Sequence, residues 1–492
     1  MPSNVATIIY LGIVAYLFRR DFREKPVVTR AVWIPFVWLF IIMSRAVSEW
    51  LAIVGLNVGG SSVEEGSPVD AVVSFVLIVS GLRVLARRNV RLSEIARNNQ
   101  WLAIFFVYCF LAIFWSDFPF VAFKRWFKII GQPVMALVLL TEPDFELAFA
   151  VLMKRLTYVI VPVSILFIKY FPDLGRGFSS WTGQGFYTGI TAGKNALGTD
   201  CLILGFFFFW YWLKVLKWEK GKARRNELIL CVSFLFLIGW LMNMAQSSTS
   251  LVSLLIGIFL MLVLGRRAIR REYVGTYILF GVAVCAIAEF VFGASDFLFQ
   301  ILGKDRNLTD RTEVWQDCLR MPINPIIGVG FESFWLGERQ KIMDEKWLWH
   351  PNEAHNGYLE TYLNLGLVGL FLLLATILSA FWKGRRELLT NFDFGRFRIA
   401  FLCGLVAYNW TEASFKALHP MWFMFYIIAI DYPHVGQPVL AEPVAVIPDA
   451  PATAELDSRE DEDPSPRYGF AVPGSKMPPE RSLAKNDSAL SR

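Results

Sequence analysis

A succession of apolar runs separated by short clusters of lysine and arginine constrains this chain more than any other feature. Hydrophobic residues make up 55% of the 492 residues, above the roughly 45–50% typical of soluble domains. A helix needs about 20 mostly apolar residues to cross a bilayer. We therefore predict an all-α fold, a polytopic transmembrane helical bundle of about 12–13 spans with one long periplasmic loop. The predicted spans are 5–18, 32–44, 69–86, 101–115, 120–140, 156–170, 197–216, 227–244, 250–264, 273–292, 358–382, 399–410 and 421–430.

The basic residues give this bundle an orientation. They fall in alternate loops, at residues 19–30, 87–97, 214–225, 266–271 and 383–398. Short loops rich in lysine and arginine stay in the cytoplasm, which places the N-terminus outside and the C-terminus inside. The long loop 293–355 then faces the periplasm. Its sequence predicts a helix through Trp315 and Leu319, with Thr309 or Asp310 as the N-terminal cap.

The composition changes after residue 431. Ten prolines and an acidic run at 460–463 interrupt a polar segment, which predicts a disordered cytoplasmic tail. We divide the chain into N-terminal transmembrane helices at 1–114, a transmembrane core at 115–430 that includes the loop 293–355, and the tail at 431–492.

The charge distribution and the absence of several motifs exclude some functional classes. The net charge of +6 comes from short loops that orient membrane segments, so no nucleic acid is expected as a partner. No cysteine and histidine spacing suits zinc, and neither a phosphate-binding glycine loop nor a serine nucleophile elbow is present. We predict no metal and no cofactor.

The polar segment that ends the long loop contains the first candidate site. His355 is followed by Asn356 and Tyr358, directly before an apolar run. A histidine at the boundary of water and lipid, with its ordinary pKa of about 6.5, is mostly neutral and suited to act as a general base. The alternative is that His355, Asn356 and Tyr358 anchor the chain at the interface.

Two further clusters contain cations that suit an anionic ligand. Arg311 is the side-chain type that grips phosphate oxygens with two hydrogen bonds, and the alternative, which the residues alone favour, is a surface pairing with Asp310 or Glu313. Lys194 lies where a loop enters a span, and the alternative is a lysine that extends to the lipid headgroups.

Together these segments resemble the O-antigen ligase and O-antigen polymerase superfamily, and within it the polymerases of exopolysaccharide production. The resemblance covers residues 115–430. The matching pieces are Trp115-Ser-Asp-Phe-Pro119 with Lys124-Arg125, Gly183 through Lys194-Asn195-Ala-Leu-Gly198, Gln246-Ser-Ser-Thr-Ser250, Arg311 through Trp315, Gly328-Val-Gly330, and His355-Asn356-x-Tyr358 through Gly366-Leu-Val-Gly369.

The resemblance implies a metal-independent glycosyltransferase of the inner membrane, with its active site facing the periplasm. Its donor would be an oligosaccharide on undecaprenyl pyrophosphate, and its acceptor a glycan hydroxyl. His355 would take the acceptor proton and Arg311 would hold the pyrophosphate. Lys194, Asn356 and Tyr358 match the same motifs and are candidate substrate-binding residues.

The chain departs from the family pattern at Ser248, where relatives often have arginine or lysine that provides a second phosphate contact. Lys124, Arg125 and Lys128 lie within about one helical turn of one another, and this crowding of cations favours an anionic partner. We therefore expect Arg125 and Lys128 to replace the missing contact. The alternative is that these side chains extend to the headgroups.

Three functions remain open from the sequence. The first is a repeat-unit polymerase for an exopolysaccharide or O-antigen, the second a ligase that passes glycan to lipid A core. Both share one site and take a lipid-linked oligosaccharide, a glycan acceptor and the bilayer as partners, with other polysaccharide export proteins as further candidates. The third is a transporter of polysaccharide or lipid-linked sugar, for which Glu289 and Glu412 are candidate embedded acids.

Overall fold

Helices form nearly all the regular structure of the part of the chain that the computed structural model describes, residues 1–56, 66–178, 183–292 and 311–432. The helices there are α1 Ser3–Glu24, α2 Trp33–Ile42, α3 Val47–Ile53, α4 Pro68–Arg87, α5 Leu92–Asn98, α6 Gln100–Leu111, α7 Pro119–Leu140, α8 Phe145–Tyr170, α9 Pro172–Gly175, α10 Lys194–Val215, α11 Lys222–Ala245, α12 Ser248–Leu264, α13 Val274–Phe292, α14 Arg311–Arg320, α15 Gly337–Lys346, α16 Gly357–Thr390, α17 Phe392–Thr411 and α18 Pro420–Ala429. Short 3-10 turns at Arg30–Val32 and Arg271–Tyr273 precede α2 and α13. One antiparallel hairpin, β1 Arg176–Phe178 with β2 Gly185–Tyr187, lies between α9 and α10.

Each predicted apolar run lies on a helix, which confirms the all-α membrane class. Not all of the 12–13 predicted spans correspond to long, apolar helices in the described residues. Five helices in the described residues are long and apolar enough to cross a membrane, namely α4, α8, α10, α11 and α16, and a sixth follows if Arg30–Ile42 and Val47–Ile53, bent by 67°, form one span. Six other helices fail this test for one of two reasons. The helices α6, α12 and α18 have only 10–17 residues, and α1, α7 and α17 carry charged side chains within their length.

The bundle core is aromatic because α10 presents large rings to its neighbours. Phe206 packs against Phe397 and Phe401 of α17, and Phe207 packs against Phe149 of α8. Helix α10 also lies against α11 and α12, and α17 lies against α12 and α16. These pairings bring the start of α10, the start of α12, the start of α16 and the end of α17 to one end of the bundle.

The described part of the long loop, residues 311–355, forms a second, smaller core at that end. Val314 and Cys318 of α14 pack with Phe334, Met343 and Leu363. The predicted helix through Trp315 and Leu319 is confirmed by α14, Arg311–Arg320. The predicted caps Thr309 and Asp310, the side chain of Glu289, and the predicted tail from residue 433 onward lie outside the described residues.

A break in α16 holds this loop against the bundle. Gly366 adopts a left-handed conformation within the helix, with φ 64°, a region that suits glycine because it has no side chain. The loop replaces the lost helical hydrogen bonds, since Gly330 donates to the carbonyl of Asn364 and Leu367 donates to that of Pro325. A Cβ atom on Gly328 would lie 2.4 Å from the Asn364 backbone. The Gly328-Val-Gly330 segment therefore has a physical role, the close docking of the loop onto α16.

Candidate functional site

A buried carboxylate just beyond the end of α17 joins three of the predicted motifs. One oxygen of Glu412, Oε1, accepts hydrogen bonds from Arg311 Nη2 at 3.0 Å and from Asn195 Nδ2 at 3.1 Å. The other oxygen, Oε2, lies 3.2 Å from His355 Nδ1. The side chain of Glu412 is 6% exposed. We call Asn195, Arg311, Glu353, His355, Glu412 and Lys416 the Glu412 cluster.

A second carboxylate completes the surroundings of His355. Glu353 Oε1 lies 2.9 Å from the same Nδ1 atom, and Glu353 also forms an ion pair with Lys416. Both carboxylates therefore face Nδ1, which leaves Nε2 as the ring nitrogen that neither carboxylate contacts. A histidine oriented by carboxylates on one ring nitrogen is the arrangement of a general base or acid.

The charges around His355 change its protonation from the one expected. Burial alone would lower the pKa of His355, but the hydrogen bonds and negative charges of Glu353 and Glu412 outweigh burial and raise this pKa to about 9. Burial would also raise the pKa of Glu353, but Lys416 and His355 hold it well below its usual range. The sequence predicted a mostly neutral imidazole, and this premise is corrected: without substrate His355 is a cation at neutral pH.

The backbone around His355 is held in an uncommon conformation. His355 has φ 48°, a region that costs a non-glycine residue about 1–3 kcal/mol unless its surroundings enforce it. Three contacts do so. Trp315 Nε1 donates to the carbonyl of Ala354 at 2.6 Å, the N–H of Ala354 donates to Glu360, and Asn356 caps the start of α16. The loop thus fixes the direction of the imidazole.

Arg311 lies beside the polar segment that begins α12. Its Nη1 donates to the carbonyl of Thr411, and the hydroxyl of Thr411 lies 2.7 Å from that of Thr249. A Cβ atom on Gly198 would lie 2.5 Å from Ser247, so the start of α10 packs closely on the same segment. The structure therefore brings the motifs around residues 195, 247, 311 and 355 to one place, as the resemblance implies.

The other predicted cations, Lys194, Arg125 and Lys128, are not members of the Glu412 cluster. Lys194 is exposed at the first position of α10, and its neighbour Asn195 makes the contact to Glu412. Arg125 donates to the carbonyl of Glu332 and lines one cavity, whereas Lys128 lines another. Neither of these two cavities is lined by Arg311. A role for either residue in phosphate binding stays a prediction.

Asn356 and Tyr358 have structural partners. The side chain of Asn356 accepts from the N–H groups of Tyr358 and Leu359, and the hydroxyl of Tyr358 donates to the carbonyl of Val406. Both residues thereby position the start of α16, and direct contact with a substrate stays a prediction.

The sequence analysis did not identify four members of the Glu412 cluster as site residues, namely Asn195, Glu353, Glu412 and Lys416. The interpretation treated Glu412 as a candidate embedded acid of a transporter. The sequence signal that came nearest to a site role was its position, because Glu412 is a single acid directly after an apolar run. The structure instead places it in contact with Arg311 and His355.

Metal binding is the other chemistry that this geometry permits. Glu353, His355 and Glu412 each offer one ligand atom, and these atoms lie within 4.8 Å of one another. Both carboxylates, however, already pair with cations, Lys416 and Arg311. A divalent cation would have to overcome the repulsion of two neighbouring positive charges. The charge arrangement therefore favours internal ion pairs, and metal independence stays a prediction.

Comparison with known proteins agrees with these motifs. Residues 231–374 match the family described as O-antigen ligase. The chain is 25% identical over 299 residues to the exopolysaccharide production protein ExoQ of Rhizobium meliloti (strain 1021), a match that covers 59% of this chain and 66% of that protein. The chain thus spans just under two thirds of the length of this curated relative. Both matches support the assignment of the chain to the O-antigen ligase and O-antigen polymerase superfamily.

Proposed function

We propose that the chain is a membrane glycosyltransferase that transfers a glycan from undecaprenyl pyrophosphate to a hydroxyl of a second lipid-linked glycan, at the periplasmic face of the inner membrane. The observation that carries the proposal is the contact of Glu412 with both Arg311 and His355, because an arginine suited to phosphate and a histidine suited to proton transfer then share one carboxylate. The similarity to an exopolysaccharide production protein favours polymerisation.

Arg311 would hold the pyrophosphate of the donor. A guanidinium has five N–H donors in a planar fork, so its contacts to Thr411 and Glu412 leave donors for phosphate oxygens. Negative charge grows on the pyrophosphate as the sugar bond breaks. A fixed cation at that point stabilises the transition state more than the ground state.

His355 would remove the proton from the acceptor. The acceptor oxygen attacks the anomeric carbon of the donor sugar, the bond from that carbon to the pyrophosphate breaks, and the lipid pyrophosphate leaves with the electron pair. The acceptor proton passes to Nε2 of a neutral His355. The resulting imidazolium is stabilised by Glu353 and Glu412. With a pKa of about 9, about one free molecule in a hundred has the neutral form at pH 7.

A ligase is the second candidate, because the matched family is described as O-antigen ligase. It would use the same cluster and pass the glycan to lipid A core. A transporter is less favoured, because Glu412 is bound to site residues and lies beyond the end of its helix.

The test is complementation of cells that lack this protein. We expect His355→Ala to reach the membrane normally but to lose about 10²–10⁴-fold in polymer synthesis, the usual cost of removing a general base. His350→Ala is the matched control, since His350 is 65% exposed and pairs only with Asp344 among the contacts described. Wild-type polymer yield and chain length in His355→Ala would overturn the proposal.

A further inference from the structure

A cavity of about 230 Å³ lies beside the Glu412 cluster and has no role in the mechanism above. Its wall combines five aromatic side chains, among them Trp335, Phe415 and Trp422, with hydrogen-bonding groups that include Asn352, Glu360 and Lys416. Rings of this kind pack against the C–H faces of a sugar, while amide, carboxylate and ammonium groups bind its hydroxyls. Sites for drug-sized ligands measure about 300–1,000 Å³, so this cavity fits a single sugar ring.

The charges of the wall select against a phosphate group. The lining includes two cations, Arg125 and Lys416, and two carboxylates, Glu332 and Glu360. Lys416 is already paired with Glu353, and Arg125 is bound to the carbonyl of Glu332. A pyrophosphate would meet both carboxylates without an excess of positive charge to offset them. A neutral, hydroxyl-rich ring meets no such repulsion.

The position of the cavity distinguishes the two substrates. Lys416 contacts Glu353, which contacts His355, and Glu360 accepts a hydrogen bond from the N–H of Ala354, the residue before His355. His355 does not itself line the cavity, but two lining residues, Lys416 and Glu360, connect the wall to it through Glu353 and Ala354. Arg311 does not line it either, and it is connected to His355 through the other carboxylate, Glu412.

We propose that this cavity binds the terminal sugar ring of the acceptor glycan and presents its hydroxyl to His355, an inference that rests on the proposed glycosyl transfer. In this arrangement Phe415 and Trp422 hold the face of the ring and Asn352 binds its hydroxyls at the exposed edge. The pyrophosphate of the donor binds separately at Arg311.

The experiment measures binding of a lipid-free acceptor to the full chain in nanodiscs. The probe is a one-repeat oligosaccharide obtained by partial hydrolysis of the polymer that the native cells secrete, and saturation-transfer NMR gives its Kd. We expect Asn352→Ala and Phe415→Leu each to weaken binding about tenfold, the loss of one hydrogen bond or one ring contact. Arg311→Lys should leave the Kd unchanged, because the probe has no pyrophosphate.

Matched controls are Asn226→Ala and Phe40→Leu. Asn226 is exposed near the start of α11, and Phe40 is a partly buried ring that stacks on Phe36 and Trp50. Both control variants should bind the probe as the wild type does. Weaker binding by the cavity variants would then come from the cavity and not from substitution in general.

The outcomes separate this inference from the proposed function. Unchanged Kd in both cavity variants, equal weakening in Arg311→Lys, or no binding by the wild type would overturn the acceptor site, even if the protein forms polymer. Binding that depends on Asn352 and Phe415 in a protein that forms no polymer would support the sugar site and count against the transfer reaction.

Discussion

Replacement of Glu412 by glutamine tests how the cluster sets the protonation of His355. Against the effect of burial, Glu353 and Glu412 raise the pKa of His355 from about 6.5 to about 9, a shift equivalent to about 3 kcal/mol. Glutamine keeps the shape of the side chain but removes one of the two charges. We therefore expect the pKa of His355 to fall by about one unit, to about 8.

The assay is the initial rate of the enzyme in nanodiscs, measured from about pH 6 to about pH 10. A raised pKa keeps His355 protonated at lower pH, so kcat/KM of the wild type should rise with pH and level off near pH 9. In Glu412→Gln the rise of kcat/KM should end at about pH 8. Its maximum should be about 10–100-fold lower, because Arg311 and the imidazole lose their common partner and an amide offers Nδ1 a donor in place of an acceptor.

Glu146→Gln is the matched control. Glu146 is likewise shared by a cation, Lys214, and an amide, Asn391, but it lies beside the opposite end of α17. It should show the wild-type profile. The reasoning is refuted if Glu412→Gln and the wild type level off at the same pH, or if the wild-type rate falls between about pH 6 and pH 9.

Three further predictions concern the donor, the metal and the membrane. Arg311→Lys should lower kcat/KM about tenfold or more, because lysine keeps the charge but loses the two-pronged grip; full activity would reduce Arg311 to a general charge. EDTA should leave the activity of purified protein unchanged, because Lys416 and Arg311 neutralise the carboxylates, and a restored activity on adding a divalent metal would contradict this. A reporter fused at Ala354 should be active outside the cytoplasm and one fused after Tyr432 inside it, and the reverse pattern would overturn the orientation taken from the basic loops.

The helices were predictable because apolar runs of this composition have few alternatives to helix in a bilayer. The ends of individual helices were harder to predict, because hydropathy does not reveal which helices end early. The run around residues 101–115, for instance, forms α6, which ends at Leu111. The break at Gly366 also depends on a loop about 40 residues earlier that supplies replacement hydrogen bonds.

The site was predictable only where residues fall in a recognisable motif. His355 and Arg311 do so, and the structure places both against Glu412. Glu412 follows His355 by 57 residues, and no local pattern links the two. The protonation of His355 depends on that tertiary contact and on Glu353, which lies two residues earlier, and the sequence alone does not show that either carboxylate faces the ring.

The central claim is that the Glu412 cluster transfers glycan from a lipid pyrophosphate to an acceptor. The most direct measurement incubates purified protein in nanodiscs with an undecaprenyl-pyrophosphate-linked repeat and counts the lipid pyrophosphate released for each glycosidic bond formed. We predict a ratio of one, with release and bond formation lost together in His355→Ala while that variant remains folded. Release of lipid pyrophosphate without glycan lengthening, or unchanged bond formation in His355→Ala, would contradict the account.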